Sequence, residues 1–268
     1  MADESALLQI TRHGVDDHVA LVLLDRPAAL NAISTEFSRQ ITTCMHGLAA
    51  EPEVRAVVLA SSSPRAFCVG ADLKERHAMS EAELMAHRRI SMQAYRSVLS
   101  LPMPAIAAID GHALGGGLEL ALSCDLIIVG PQAILALPEV SVGLIPGGGG
   151  TQLLTRRVGW SRAASIILTA AKIDALQAHS LGLVDEVAQT GGSTRRALEL
   201  ADQISGNSPT AVRHAKAAMR EGADGSLSEG LGYEDAHWRA SARSKDRREG
   251  ISAFNEKRRP QWHTFGKE

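Results

Sequence analysis

The chain has 268 residues, 45% of them hydrophobic and 22% charged, with a formal net charge of −2. That is enough apolar material for one large core, and it excludes a disordered or fibrous chain. Lys and Arg are scattered among Asp and Glu, which excludes a chain-wide footprint for nucleic acid or a membrane surface and leaves a small-molecule substrate as the default.

Met1-Ala-Asp-Glu-Ser has neither the basic start and apolar stretch of a secretory signal nor the Arg-rich, acid-poor character of a transit peptide. No apolar run reaches the roughly 18 residues of a membrane span, so a soluble, cytoplasmic protein is expected. Ile10 to Arg12 and Val19 to Asp25 predict strands, separated by a polar, glycine-containing turn from His13 to Asp17. In the second strand Val19, Leu21 and Leu23 alternate with Ala20, Val22 and Leu24. Both faces are apolar, as in a central strand. Ser34 is placed to cap a helix that carries Phe37, Ile41, Met45 and Leu48 at helical spacing, and Arg55 to Ala60 predicts the next strand. The alternation favours a parallel sheet backed by helices.

Ser80 and Glu83 have the spacing of a capping box, for a helix that runs towards Ser100 and is stopped by Pro102 and Pro104. Ala105 to Ile109 predicts a strand and Gly111 a turn. Gly115 to Gly117 open an apolar helix from about Leu118 to Ser123, and Leu126 to Val129 is another strand. From Trp160 onward the periodicity is helical: Ala163 to Ala170, Ala175 to Leu181, Thr194 to Ile204, Pro209 to Met219 and Ser226 to about Ala242. The last third therefore reads as a helical extension. Its final stretch, Arg247 to Arg259, is amphipathic and charged, suited to a solvated face or a subunit contact.

Cys44, Cys68 and Cys124 are an odd number of thiols among apolar neighbours, with no Cys-x-x-Cys or Cys/His ligand spacing. Buried thiols in a reducing compartment and no metal are expected.

Three segments carry candidate chemistry. Gly115-Gly116-Gly117 sit at a helix start, where unpaired N–H groups and a partial positive charge suit an anion or a developing oxyanion. Glu119, three residues after Gly116, projects from the first turn, within roughly one pitch of ~5.4 Å. Alone, it could simply complement the helix dipole. Ala66 to Lys74 is a strand that gives way to a glycine turn, able to offer a second N–H or to be an ordinary strand end. Leu137-Pro138-Glu139 precedes a glycine run, Gly147 to Gly150, and Glu139 alone could be a surface-loop carboxylate. Competing motifs fail on specifics: there is no Gly-Lys-Ser/Thr ending, no complete Gly-x-Gly-x-x-Gly, no Gly-x-Ser-x-Gly elbow and no His-Glu-x-x-His.

Taken together, several segments resemble the enoyl-CoA hydratase/isomerase family, in order, with matching spacing and over nearly the whole chain. They are Asp25-Arg26-Pro27 with Asn31-Ala32, Ala66 to Glu75, Gly115 to Ala121, Cys124-Asp125, and Pro138-Glu139 with Gly147 to Gln152. The resemblance implies an α/β fold, a crotonase-like spiral of ββα units over 1–195, with a C-terminal helical region over 196–268 that packs homotrimers, often paired into hexamers. It implies hydration of a 2-enoyl-CoA to a 3-hydroxyacyl-CoA, with coenzyme A as part of the substrate and no separate cofactor. Glu119 and Glu139 stand at the positions of the family's two catalytic carboxylates, and relatives with only one mostly isomerise. The N–H groups of Ala71 and Gly116 stand for the oxyanion hole, and Ala71, Asp72, Leu73 and Lys74 lie along the CoA.

The branch most similar in motif contains methylglutaconyl-CoA hydratases, which makes a branched, carboxylated acyl group the alternative. Arg88 or Arg89 could then meet the substrate carboxylate, or could simply be solvated. Some relatives in that branch bind AU-rich RNA through a lysine-rich helix. The corresponding segment here, Ser34 to Val54, has Arg39 but no lysine and carries Glu36, Glu51 and Glu53, which argues against RNA. By likeness alone, Phe254 and Lys257 could reach a neighbouring subunit's nucleotide, and a solvated helix face serves them equally well.

Overall fold

The computed structural model describes residues 6–265, so Met1 to Ser5, read above for targeting character, lie outside it. Strands β1 (Leu8–His13) and β2 (Val19–Leu24) pair antiparallel, Leu8 opposite Leu24 and His13 opposite Val19. The apolar alternation of β2 is realised on both faces: Ala20, Val22 and Leu24 enter the main core, while Val19 and Leu21 enter a second cluster behind the sheet. Helix α1 (Thr35–Ala50) is capped by Ser34, whose side chain accepts from the Phe37 N–H, and it buries Phe37, Ile41, Met45 and Leu48.

There follow β3 (Ala56–Ser61), β4 (Ala66–Cys68), α2 (Leu73–His77) and α3 (Glu81–Leu99), with both hydrogen bonds of the Ser80/Glu83 capping box formed. Next come β5 (Ala105–Ile109), β6 (His112–Leu114), α4 (Gly116–Leu122), β7 (Leu126–Val129), β8 (Ile134–Ala136), α5 (Gly150–Val158) and α6 (Trp160–Leu168). The chain closes with β9 (Ile173–Asp174), α7 (Ala175–Ser180), β10 (Glu186–Val187), α8 (Ser193–Ser205), α9 (Pro209–Gly222), α10 (Leu227–Arg243) and α11 (Lys245–Glu256).

The strands form a six-stranded sheet in the order β1-β2-β3-β5-β7-β10, parallel except for its first pair, and a four-stranded sheet, β4-β6-β8-β9, in which β4, β6 and β8 run parallel. Chain order alternates between them. A long strand of the large sheet is followed by a short strand of the small one and then by helix, so the chain winds as the expected spiral of ββα turns. Gly111 makes one of the corners: a Cβ there would lie 2.3 Å from the Arg65 carbonyl oxygen.

The small sheet is where the structure adds most to the sequence reading. β6, β8 and β9 span three residues or fewer, too short for a period-two pattern to register. The last third is also more than an extension. β9 and β10 edge the two sheets, and α8 lays Ala197 and Ala201 on the back of the large sheet against Val19, Leu21, Val58 and Ile106. A boundary between 195 and 196 falls inside α8, a helix that belongs to the core. Helix α9 is tied back as well, through Lys216 Nζ to Asp125 at 2.6 Å and to the Met103 carbonyl at 2.8 Å.

Cys68 and Cys124 are buried and Cys44 half-buried; burial pushes the first two thiols up to about 12 and that of Cys44 to about 11. Among the described residues no helix is long and apolar enough to cross a membrane, and no group of three or more His, Cys, Asp and Glu could hold a metal ion.

Candidate active site

The predicted site residues gather at one edge of the small sheet. Cys68 is registered with Ala113 and Leu114 with Ala136, so the segments that leave β4, β6 and β8 emerge side by side at the strands' carboxyl ends. Those segments carry Ala71, Gly116 and Glu139. The carboxyl edge of parallel strands is where open α/β sheets bind ligands.

Beyond β4 the backbone pairs briefly with Ile33, whose N–H donates to the Gly70 carbonyl at 2.7 Å and whose carbonyl accepts from the Asp72 N–H at 3.1 Å. Successive groups of an extended segment point to opposite sides, so the Ala71 N–H is directed away from Ile33 and has no acceptor among the described residues. Gly116 is the first residue of α4, and its N–H precedes the intrahelical ladder. The two segments touch: a Cβ on Gly70, which has φ of 87°, would lie 2.9 Å from the Gly116 nitrogen. Each member of the triple glycine has its own constraint. A Cβ on Gly115 would stand 2.9 Å from Glu139 Oε1, one on Gly116 2.3 Å from the Tyr95 hydroxyl, and one on Gly117 2.0 Å from the Cys68 carbonyl oxygen.

The Asp25-Arg26-Pro27 and Asn31-Ala32 segments serve as a brace for this turn. Asn31 is fully buried, and its Nδ2 donates to Ser61 Oγ at 2.8 Å and to the Phe67 carbonyl at 2.9 Å. Arg26 Nη1 reaches the Ala32 carbonyl at 2.8 Å and Asp72 at 2.7 Å. Asp72 caps α2, accepting from the Lys74 and Glu75 N–H groups. Burial raises its pKa, but Arg26 and those N–H groups outweigh burial and hold the carboxyl below the usual range. Its role in the structure is to fix the turn, while the neighbouring Leu73 and Lys74 are exposed along the outside of α2.

Glu119, in the first turn of α4, is 3% exposed. Its Oε1 accepts from the Gly148 N–H at 2.6 Å and the Gly150 N–H at 2.8 Å, at the start of α5. Burial raises its pKa, opposed by those two N–H groups and by the charges of Arg88 and Arg76. The glycine run makes room for this contact: Cβ atoms on Gly148 and Gly150 would stand 2.8 Å from Oε2 and 2.9 Å from Oε1.

Glu139 opens a 3-10 turn after Pro138. Its Oε2 is buried with no hydrogen-bond partner among the described residues. Burial pushes its pKa up to about 7; the negative charge of Glu119 adds to the rise, and its own backbone N–H and Arg76 oppose it. Tyr95 and the donors at Gly148 and Gly150 are site groups that reading the sequence missed. Tyr95 gave no signal beyond an aromatic on the helix predicted after Ser80; the glycine run was visible, but not what it touches. Arg88 and Arg89 are both exposed, and Arg88 lies beside Gly147, with Nη1 3.1 Å from where a Cβ would be.

Two backbone N–H groups on adjoining segments, flanked by two carboxylates of raised pKa, have the chemistry suited to a carbonyl that gains negative charge and to proton movement beside it. Residues 14–265 match the family model for enoyl-CoA hydratase/isomerase. An enoyl-CoA isomerase/hydratase of Mycosarcoma maydis is 43% identical over 248 residues, 89% of this chain and 90% of that protein. The mitochondrial methylglutaconyl-CoA hydratase of Mus musculus is 37% identical over 257 residues, 94% of this chain and 82% of that protein. The crystal structure of an enoyl-CoA hydratase from Bacillus anthracis superposes with a TM-score of 0.93 at 37% identity, covering 96% of this chain and 98% of that one. The chain is an enzyme of the enoyl-CoA hydratase/isomerase family.

Proposed function

We propose that the enzyme adds water reversibly across the double bond of a 2-enoyl-CoA, with the thioester oxygen held by the N–H groups of Ala71 and Gly116. The observation that carries this reading is the pair of carboxylates: one oxygen of Glu119 is pinned while Oε2 of Glu139 is buried and unpartnered. Water held between them presents its oxygen to the β-carbon. The ionised Glu139 takes a proton as the O–H bond breaks and the C–O bond forms. The electron pair of the double bond moves through the α-carbon onto the thioester oxygen, where the two N–H groups stabilise it. As the carbonyl re-forms, Glu139 returns a proton to the α-carbon and is ionised again. Each oxyanion donor is worth ~2.7–4 kcal/mol in comparable sites.

The test is to incubate the enzyme with crotonyl-CoA and to follow loss of the conjugated thioester absorbance together with the product by mass spectrometry. A 3-hydroxyacyl-CoA is expected. A shifted double bond with no uptake of water overturns the reading in favour of isomerisation. The same reading includes a homotrimer or hexamer: α10 leaves Leu227, Leu231 and Trp238 80%, 53% and 68% exposed, apolar surface suited to subunit contact. Light scattering at assay concentration checks it, and a monomer would refute it.

A further inference from the structure

The hydration steps use two backbone donors and two carboxylates, and they leave a buried polar side chain of the cleft without a task. Tyr95, on α3, is 6% exposed and belongs to the main core. Its ring edge faces the start of α5. Cε2 and Cδ2 stand 2.6 and 2.8 Å from where a Cβ on Gly148 would be, and Glu119 Oε2 stands 2.8 Å from the same point, so the unpinned oxygen of Glu119 neighbours the electropositive edge of the ring. The hydroxyl runs on to the start of α4: its oxygen lies 2.3 Å from the Cβ position of Gly116, and the Gly70 Cα lies 3.5 Å from that position. In a helix the Cα–Cβ bond tilts toward the N-terminus, the direction in which the N–H groups also point. The hydroxyl therefore sits on the side of Gly116 that its free N–H faces. Among the described residues no hydrogen bond to the chain occupies that hydroxyl. Burial, reinforced by the negative charge of Glu119, holds the phenol well above its ordinary value of 10.0, so it keeps its proton and remains a donor. A phenylalanine would fill the same core space, so packing accounts for the ring and not for the hydroxyl.

We propose that the Tyr95 hydroxyl is a third donor to the thioester oxygen, joining the N–H groups of Ala71 and Gly116 as negative charge gathers there, and that Tyr95 is thereby a catalytic residue. The proposal rests on the reading of those two N–H groups as the grip on the thioester and adds a side chain that shares it. A hydrogen bond from a hydroxyl to an oxyanion is shorter and stronger than one to a neutral carbonyl. The donor thus favours the enolate-like state over the bound thioester, which is the condition for raising kcat. Unlike its two backbone companions, it can be deleted by mutation.

The experiment compares the wild type with Tyr95→Phe, which keeps the ring between Gly116 and Gly148 and removes only the hydroxyl. With crotonyl-CoA, kcat and kcat/KM should fall together by roughly 10- to 100-fold, as for a lost hydrogen bond to a charged group, with KM nearly unchanged. Calorimetry then compares two ligands that need no turnover: butyryl-CoA, whose carbonyl is neutral, and acetoacetyl-CoA, whose acidic α-carbon yields an enolate at mildly alkaline pH. Tyr95→Phe should weaken acetoacetyl-CoA about 10-fold or more and butyryl-CoA less than about 2-fold. A lost enolate preference together with a shifted double bond in the product assay would keep the donor and remove hydration, so the two readings fail separately. The chain has two tyrosines, Tyr95 and the half-exposed Tyr233, so wild type labelled with carbon-13 at the tyrosine Cζ gives two signals, which Tyr233→Phe assigns. The Tyr95 signal should move when acetoacetyl-CoA binds, a readout that stands even if Tyr95→Phe does not fold. Unchanged kcat in the folded variant, equal losses for both ligands, which would make Tyr95 a structural support of the cleft, or a Tyr95 signal indifferent to acetoacetyl-CoA overturns the proposal.

Discussion

The first turn of α4 and the turn after β8 each present a glutamate to one cleft, and they hold it in opposite ways. Glu119 is anchored by two N–H groups at the start of α5, whereas Glu139 has a buried oxygen that no group in the described chain meets. Burial raises the pKa of both, but only Glu119 has compensating donors from a neighbouring segment. In the proposed mechanism two residues of the same type thus become a fixed acceptor that orients water and a group poised to exchange a proton near neutrality.

The comparison can be broken most directly by neutralising each carboxylate in turn. Glu139→Gln should lower kcat for hydration roughly 100- to 10,000-fold while CoA binding persists. Glu119→Gln retains an oxygen for the Gly148 and Gly150 N–H groups, so the protein should stay folded and lose turnover by a smaller factor, still of about 100-fold. Equal losses in steady-state kinetics would erase the division of labour. Next in size is the glycine start of α4. Gly116→Val should cost about 100- to 1,000-fold in kcat in a folded protein, because the new side chain displaces Tyr95 and shifts the oxyanion donor. Normal turnover in that variant would remove Gly116 from the site.

A third test uses pH. Glu139 with a pKa raised to about 7 is protonated below that value, and the ionised form is the one that accepts the proton from water. The kcat/KM of hydration should therefore fall about tenfold per unit as pH drops below 7 and level off above it, a profile that Glu139→Gln flattens. The smallest effect is on stability. A carboxyl whose pKa is raised by folding contributes stability that is present below its ordinary value of 4.5 and is lost as pH rises through about 7. Glu139→Gln should then melt above wild type at about pH 8, by about 1–2 kcal/mol once solvent screening is allowed for, and level with it at about pH 4. Calorimetry at both pH values checks the sign.

Long elements and capped helices were legible in the sequence because their physics is local. The alternation in Val19 to Leu24, the Ser34 cap and the Ser80/Glu83 box each appear where their residues predict them. The small sheet was not, because β6, β8 and β9 owe their conformation to their neighbours in space. At the site, Glu119, Glu139, Ala71 and Gly116 could be nominated from glycine patterns and likeness. What pins Glu119 could not: Gly148 and Gly150 lie 29 and 31 residues away in the chain. The same limit hid Asp72 as a cap tied to Arg26.

The bridge between Ile33 and Ala71 means that one of the N–H groups proposed to hold the thioester is main chain held by main chain. Such a donor is written into the path of the polypeptide and not into any codon's choice of side chain, so drift at position 71 leaves it intact wherever the bridge survives. The carboxylates have no such protection. On the proposed mechanism, a lineage built on this scaffold can exchange one glutamate, and with it the reaction, while inheriting the grip on the acyl thioester unchanged.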